Sequence, residues 1–422
     1  MSTASNESQN GSSPRSRRLL VFCGTLVGVL VLVSTLLVWP HVNQGRPPSP
    51  SMYFTPGPGV PMQLSPISTS NDTGIGFNPI RHNPNALTPT PKHPTGTAGV
   101  TSGSATPNAS VTPTASSPTP TITSFSFTAA GDYAQTGYTT ANLNYIAHAG
   151  VSFHLGLGDF NYTPGASPDA WASYVKGNLP PNFPFEIVPG NEDVAYVPNF
   201  IADLPDHIGN ISGIYGQEYS FDYPPDNPLA RFIMITPGPI LPGYGYSAGT
   251  AHYNWVAQQI DGARSAGIPW VIVGMHEFCT AMGNLPCTIG SDLENLLISK
   301  KVDLVLQGHS HAYQASKQLA LNGGSCAGLT PNIYNSACVV SSSTSMTKGA
   351  GTVFIITGTG GESPLVSLGA NDPEVGYFRT WMAGNSNPTW GVSRFTITAT
   401  QITGQFIGVS GAGFSDSYTI HA

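Results

Sequence analysis

Five times between residues 131 and 313, a short apolar run ends in a glycine beside side chains that bind metals. The segments are Gly131-Asp132-Tyr133, Gly158-Asp159-Phe160-Asn161-Tyr162, Gly190-Asn191-Glu192-Asp193, Val273-Gly274-Met275-His276 and Gly308-His309-Ser310-His311-Ala312-Tyr313. This recurrence restricts the fold more than any other feature. Apolar runs of this length, with helical stretches between them, read as buried strands. Alternating strands and helices predict an α/β sheet covered by helices. Such sheets bind ligands beyond the carboxyl ends of their strands, so loops distant in sequence can meet at one point. Glycine lets the backbone turn sharply and approach an ion closely.

The pattern predicts strands over 124–128, 151–157, 185–188, 230–235, 270–273 and 302–306. Helices are expected over 139–150, capped by Thr139 or Thr140; over 168–176, with Ser167 as cap and Pro168 first; and over 251–266 after Thr250. Ser291-Asp292-Leu293-Glu294 has the form of a capping box opening a helix to Lys300. The tail is β-rich, with strands over 352–357, 391–398, 401–409 and 417–421.

Charge narrows the partners. From Ser124 onward nine Lys/Arg stand against twenty Asp/Glu, a net charge of −11, while the whole chain carries −7. So acidic a domain has no diffuse basic surface for nucleic acid. A small anionic substrate would need local positive charge, which metal ions can supply.

The first 122 residues are of another kind. Residues 19–39 carry no charge and as a helix would span roughly 32 Å, the hydrocarbon thickness of a bilayer. Arg15, Arg17 and Arg18 precede them and the next basic residue is Arg46, which sets a cytoplasmic tail at 1–18 and the rest outside the membrane. A cleaved signal peptide, giving a secreted protein, is the competing reading; Val38-Trp39-Pro40 lacks its small-residue cleavage pattern. Leu20–Cys23 has the spacing of a lipobox, but Phe22 is too large for one. Residues 40–122 are rich in Pro, Ser and Thr with little apolar periodicity, which predicts a disordered linker before a folded domain at 123–422. Cys279, Cys287, Cys326 and Cys338 suit two disulfides in an exported protein. Proximity favours Cys279–Cys287 and Cys326–Cys338 among three connectivities; a zinc site is the alternative, and the spacings match no common zinc knuckle.

The ligand set mixes hard oxygen with imidazole nitrogen, which suits a pair of divalent or trivalent ions. Such a pair drives displacement at phosphorus. Asp159 is best placed to bridge two ions and Asp132 to bind one, with Asn191 offering a carbonyl oxygen and His276, His309 and His311 offering nitrogens. Tyr162 ligates only where a strong Lewis acid such as Fe(III) lowers its pKa. His309 and His311 share a face in a strand and can splay to different ions in a turn.

With these motifs the chain resembles the calcineurin-like metallophosphoesterases, and among them the purple acid phosphatase branch, over residues 124–422. The family's pattern is GD, GDxxY, GNH followed by Asp or Glu, VxxH and GHxH. The resemblance implies a four-layer α/β/β/α sandwich. It implies one ion held by Asp132, Asp159, Tyr162 and His311, and a second held by Asp159, Asn191, His276 and His309. The first would be Fe(III) and the second a divalent Fe, Zn or Mn. It implies hydrolysis of a small phosphate ester by metal-activated water, with phosphomonoesters first and diesters or nucleotides second. Glu192 stands where the family has a His beside the substrate; Glu192 and His309 form the expected catalytic set. Glu192 could serve as general acid if burial or Asp193 raised its pKa. As a carboxylate it would repel a phosphate dianion, which leaves open a surface protein that binds without turnover. His148, His154, His207 and His252 are expected to be structural. Thr357-Gly358-Thr359-Gly360-Gly361 matches a glycine-rich turn of the same branch and is not a P-loop, since no Gly-Lys-Ser/Thr follows.

Overall fold

The structure is a computed structural model that describes residues 122–163 and 167–422. The expected tail, membrane span and Cys23, and all but the last residue of the expected linker, lie outside the described residues. Among the described residues no helix is long and apolar enough to cross a membrane.

Two large sheets form the centre. One has seven strands, ordered Ser345–Thr347, Ser415–His421, Gln401–Gly411, Thr389–Thr398, Ser124–Ala130, His154–Leu157 and Phe185–Val188. The other has eight, ordered Phe378–Met382, Tyr313–Ser316, Val353–Thr357, Leu304–Gln307, Trp270–Gly274, Ala230–Ile235, Glu218–Tyr223 and Ser212–Ile214. Each contains a run of parallel strands: 124–130, 154–157 and 185–188 in the first, and 230–235, 270–274, 304–307 and 353–357 in the second.

Packing follows from which faces are apolar. The central core fills the space between the sheets, with Phe125, Phe127 and Leu155 from one and Phe232, Ile272, Leu304 and Ile355 from the other. A second core lies between the eight-stranded sheet and the helices Ala251–Ser265 and Ser291–Ser299. A third lies between the seven-stranded sheet and the helices Gly137–His148, Pro168–Asn178 and Val197–Asp203. The strands Phe185–Val188 and Ala230–Ile235 match their expected limits, each an apolar run broken by one charged residue, Glu186 or Arg231.

Other limits moved for local reasons. The first helix begins at Gly137, two residues early, because Thr136 caps it by accepting from the Thr139 amide at 3.3 Å. Ser167 and Thr250 cap as expected. The capping box at Ser291 does not form: Gly290 at φ 80° is the cap, and Glu294 is buried, accepting from the Thr280 amide and hydroxyl at 2.8 and 3.1 Å. Both proximal disulfides, Cys279–Cys287 and Cys326–Cys338, are present.

Phe232 sits at the middle of the inter-sheet aromatic cluster, 5.1 Å from Phe127, 5.2 Å from Phe153 and 4.8 Å from Phe221 by ring centroids. Phe232→Ala should destabilise the domain by about 3–5 kcal/mol, read as a lower urea midpoint at unchanged slope. A loss below about 1 kcal/mol would contradict this packing.

Candidate metal centre

The parallel strands of both sheets end at one seam, and the five glycine-flanked loops converge there. The loops are tied to one another through the backbone. The Asp132 amide donates to Gly158 O at 3.0 Å, the Tyr133 amide to Asp159 O at 2.7 Å, and the Gly308 amide to His276 O at 3.0 Å. Across the sheets, His276 Nδ1–H donates to Leu157 O at 2.7 Å, which aims Nε2 into the seam.

All seven candidate ligands meet. On one side His311 Nε2 lies 3.3 Å from Asp132 Oδ1 and 3.2 Å from the Tyr162 hydroxyl, which donates to Asp159 Oδ2. On the other, His276 Nε2 lies 3.2 Å from Asp159 Oδ2 and 3.2 Å from Asn191 Oδ1. Ligand atoms of Asp159, His276 and His309 all fall within 4.8 Å of one another. Asp159 belongs to both groups. His309 and His311 lie in a turn, so they splay: the His309 ring sits 5.1 Å from His276, and His311 turns to Asp132 and Tyr162.

Three features fit this donor set to cations. Asp132 and Asp159 are fully buried, and Asp132 Oδ1 accepts no hydrogen bond despite its nearness to His311. A buried carboxylate oxygen without a donor is costly. The backbone is strained at the ligands themselves. Among the described residues eight non-glycine residues have positive φ; four are Asn and one is Lys301, and the other three are Asp132, Asp159 and His309. Such strain costs roughly 1–2 kcal/mol per residue and gathers at functional sites. Finally, a Cβ on Gly190 would stand 2.1 Å from Asp159 Oδ1, and one on Gly158, at φ 79°, would stand 2.8 Å from the His276 ring.

The electrostatics agree. Burial alone would lower His276, but the Asp159 carboxylate and its hydrogen bond outweigh burial and raise it to about 10. Burial likewise opposes ionisation of Asp159, yet His276, with further hydrogen bonds from Tyr162 and the Glu192 amide, holds it down to about 2. His309 falls to about 4 through burial and repulsion from His276. Tyr162 is raised by burial and by the Asp132 and Asp159 charges, so its phenol keeps its proton unless a strong Lewis acid takes it. Ligation requires neutral imidazole, so a cation held there would have to take the place of the proton on His276.

Glu192 is exposed beside this cluster, its amide donating to Asp159 Oδ1 at 2.8 Å and its carboxylate accepting from Asn191 Nδ2 at 2.9 Å. Its carboxyl is raised by partial burial and then by Asp159, not by Asp193. Asp193 faces inward and pins its turn, accepting from the Gly190 and Phe160 amides at 2.7 and 3.0 Å. Of the spare histidines, His154 is buried between the Thr128 and Tyr133 hydroxyls at 2.8 and 2.7 Å, and His252 pairs with Glu218 at 3.0 Å. His148 bonds its own helix and His207 is exposed. Sequence reasoning missed Glu362. It follows the glycine-rich turn directly, its amide donates to Asp132 O at 3.0 Å, and its carboxylate acts on His311 and Asp132. Its position next to Gly361 was the available signal.

No family model matches the chain. Purple acid phosphatase 18 of Arabidopsis thaliana is 27% identical over 210 residues, covering 46% of this chain and 45% of that protein. The Fe(3+)-Zn(2+) purple acid phosphatase 12 of the same plant is 27% identical over 140 residues, 32% of this chain and 27% of that one. The chain thus spans less than half the length of the curated relatives it matches. A purple acid phosphatase from yellow lupin (Lupinus luteus) seeds has the same fold, with TM-score 0.52 and 15% identity over 72% of this chain and 55% of that one.

Gly190→Ala should push the Asp159 carboxylate out of the seam. Bound metal, measured by mass spectrometry on protein folded by circular dichroism, should fall well below wild type. Undiminished metal would contradict the close approach.

Proposed function

We propose, from the premise that the chain belongs to the calcineurin-like metallophosphoesterases in their purple acid phosphatase branch, that it hydrolyses phosphate esters at a dinuclear metal centre. The observation that carries this reading is the convergence of seven ligand side chains on a seam with Asp159 common to both halves. Asp132, Asp159, Tyr162 and His311 would hold one ion, and Asp159, Asn191, His276 and His309 the other. A bound pair of this type supplies Lewis acidity and water of lowered pKa.

The chain's own residues do the rest. The Leu157 carbonyl fixes the His276 tautomer. The Tyr162 phenol, held protonated by burial and by its carboxylate neighbours, favours Fe(III) as the ion it would meet; the other ion would be divalent, with Zn(II) among the candidates as in the name of the second Arabidopsis relative. Glu192, whose carboxyl is raised by partial burial and by Asp159, would give its proton to the departing alkoxide. Phosphomonoesters are the first substrate class and diesters the second. Two disulfides suit an oxidising compartment. With the uncharged stretch at 19–39 they support a domain displayed outside a membrane, or a secreted one if that stretch is cleaved.

The carboxylate of Glu192 favours one second reading, a protein that binds phosphate esters without turning them over. Hydrolysis of 4-nitrophenyl phosphate by the metal-loaded protein separates the two. Wild type should turn over, and His309→Ala should lose at least about 100-fold in kcat/KM. If wild type is inert with Fe, Zn and Mn while Glu192→His is active, the binding reading stands. Unchanged activity in His309→Ala would sink the site assignment.

A further inference from the structure

Beside the metal seam, Tyr138 and Trp390 stack with ring centroids 3.7 Å apart and planes 2° from parallel. Several bonds fix this pair at the mouth. The strand Thr389–Thr398 runs antiparallel to Ser124–Ala130, pairing Ala129 with Ser393, and beyond that pairing the Gly391 amide donates to Thr359 O at 3.2 Å, in the glycine-rich turn whose Gly360 amide donates to Gly131 O at 2.8 Å. The Trp390 indole N–H donates to Glu362 O at 2.8 Å, and the Glu362 amide donates to Asp132 O at 3.0 Å. One residue therefore separates the stack from a candidate ligand. The Thr136 hydroxyl, two residues before Tyr138, donates to Gly361 O at 2.9 Å and ties the start of the helix to the same loop.

Helix packing does not account for Tyr138. The buried residues of its helix are Thr139, Asn142, Leu143 and Ile146, and Tyr138 belongs to none of the hydrophobic cores. Trp390 packs against the central core on its own account. The Tyr138 hydroxyl makes no hydrogen bond among the described residues, and both rings are half-buried. A rigid, half-exposed aromatic face is suited to planar groups. The same mouth carries the carboxylates of Glu192 and Glu362, and the leading charges on these groups come from Asp159, Asp132, His276 and His311 rather than from Lys or Arg. Selectivity for the organic part of an ester then has to come from apolar contact.

Resting on the phosphoesterase reading, we propose that the Tyr138–Trp390 stack receives the organic group of the substrate, and that this group is a planar aromatic ring. The test uses full-length, metal-loaded protein. Calorimetry compares phenylphosphonate with methylphosphonate, which needs no turnover; kcat/KM compares 4-nitrophenyl phosphate and adenosine monophosphate with glycerol phosphate. Tyr138→Ala should cut the preference for the aromatic member of each pair by about tenfold, and Tyr138→Phe should keep it. Loss confined to the nitrophenyl ester assigns an aryl ring, and loss confined to the nucleotide assigns a base; either supports the stack. An unchanged preference overturns the proposal. So does a loss that follows instead from Tyr196→Ala, on the exposed Val194–Tyr196 lip beyond Glu192. Should neither ester be hydrolysed, the hydrolase reading fails while the phosphonate preference still decides the stack.

Discussion

The Asp159 carboxylate is the contact on which the rest of the seam depends. It is fully buried, yet four groups from three loops close on it: the Tyr162 hydroxyl, the Glu192 amide, the His276 ring and the bare face of Gly190. Asp132, on the loop of the neighbouring strand, repeats the theme, its Oδ2 accepting from the His309 amide at 2.8 Å and its Oδ1 left without a donor. Two carboxylates buried this closely are unfavourable unless positive charge joins them. Without a metal, the His276 proton supplies part of that charge. The two sheets supply the ligands unequally, with oxygen donors from the seven-stranded sheet and imidazoles from the eight-stranded one. The seam between the sheets is therefore where hard and borderline ligands are brought face to face.

Much of this was legible in the sequence, because the governing constraint is local. An apolar strand followed by glycine and a ligand leaves a mark in a few residues, and the loops at Asp132, Asp159, Asn191, His276 and His309 all left it. What was not legible depends on tertiary partners. Glu294 reads as part of a capping box, but the loop at Thr280 offers it an amide and a hydroxyl, and burial there outweighs the cap. Asp193 reads as an extra charge beside Glu192, while its two amide bonds turn it inward. Glu362 has no ligand motif of its own and enters the site only through the backbone bond to Asp132. The strands Tyr313–Ser316 and Phe378–Met382 are short and partly polar, and only their pairing in the second sheet defines them.

At Glu192 the chain departs from the motif pattern that the resemblance implies. Glu192 lies beside Asp159 and Glu362 beside Asp132 and His311, and no Lys or Arg is among the leading charges on either. On the proposed reading, such a mouth would disfavour highly charged esters and leave recognition of the organic group to aromatic contact. On the same reading, turnover would depend on whether Glu192 carries a proton when the alkoxide departs.

The central claim is that these ligands hold a metal pair bridged by Asp159. Anomalous diffraction from crystals of protein loaded with iron and zinc tests it most directly. The account predicts two peaks about 3.5–4 Å apart, with Asp159 between them, Tyr162 on one and Asn191 on the other. A single peak, or two peaks that do not share Asp159, would contradict it.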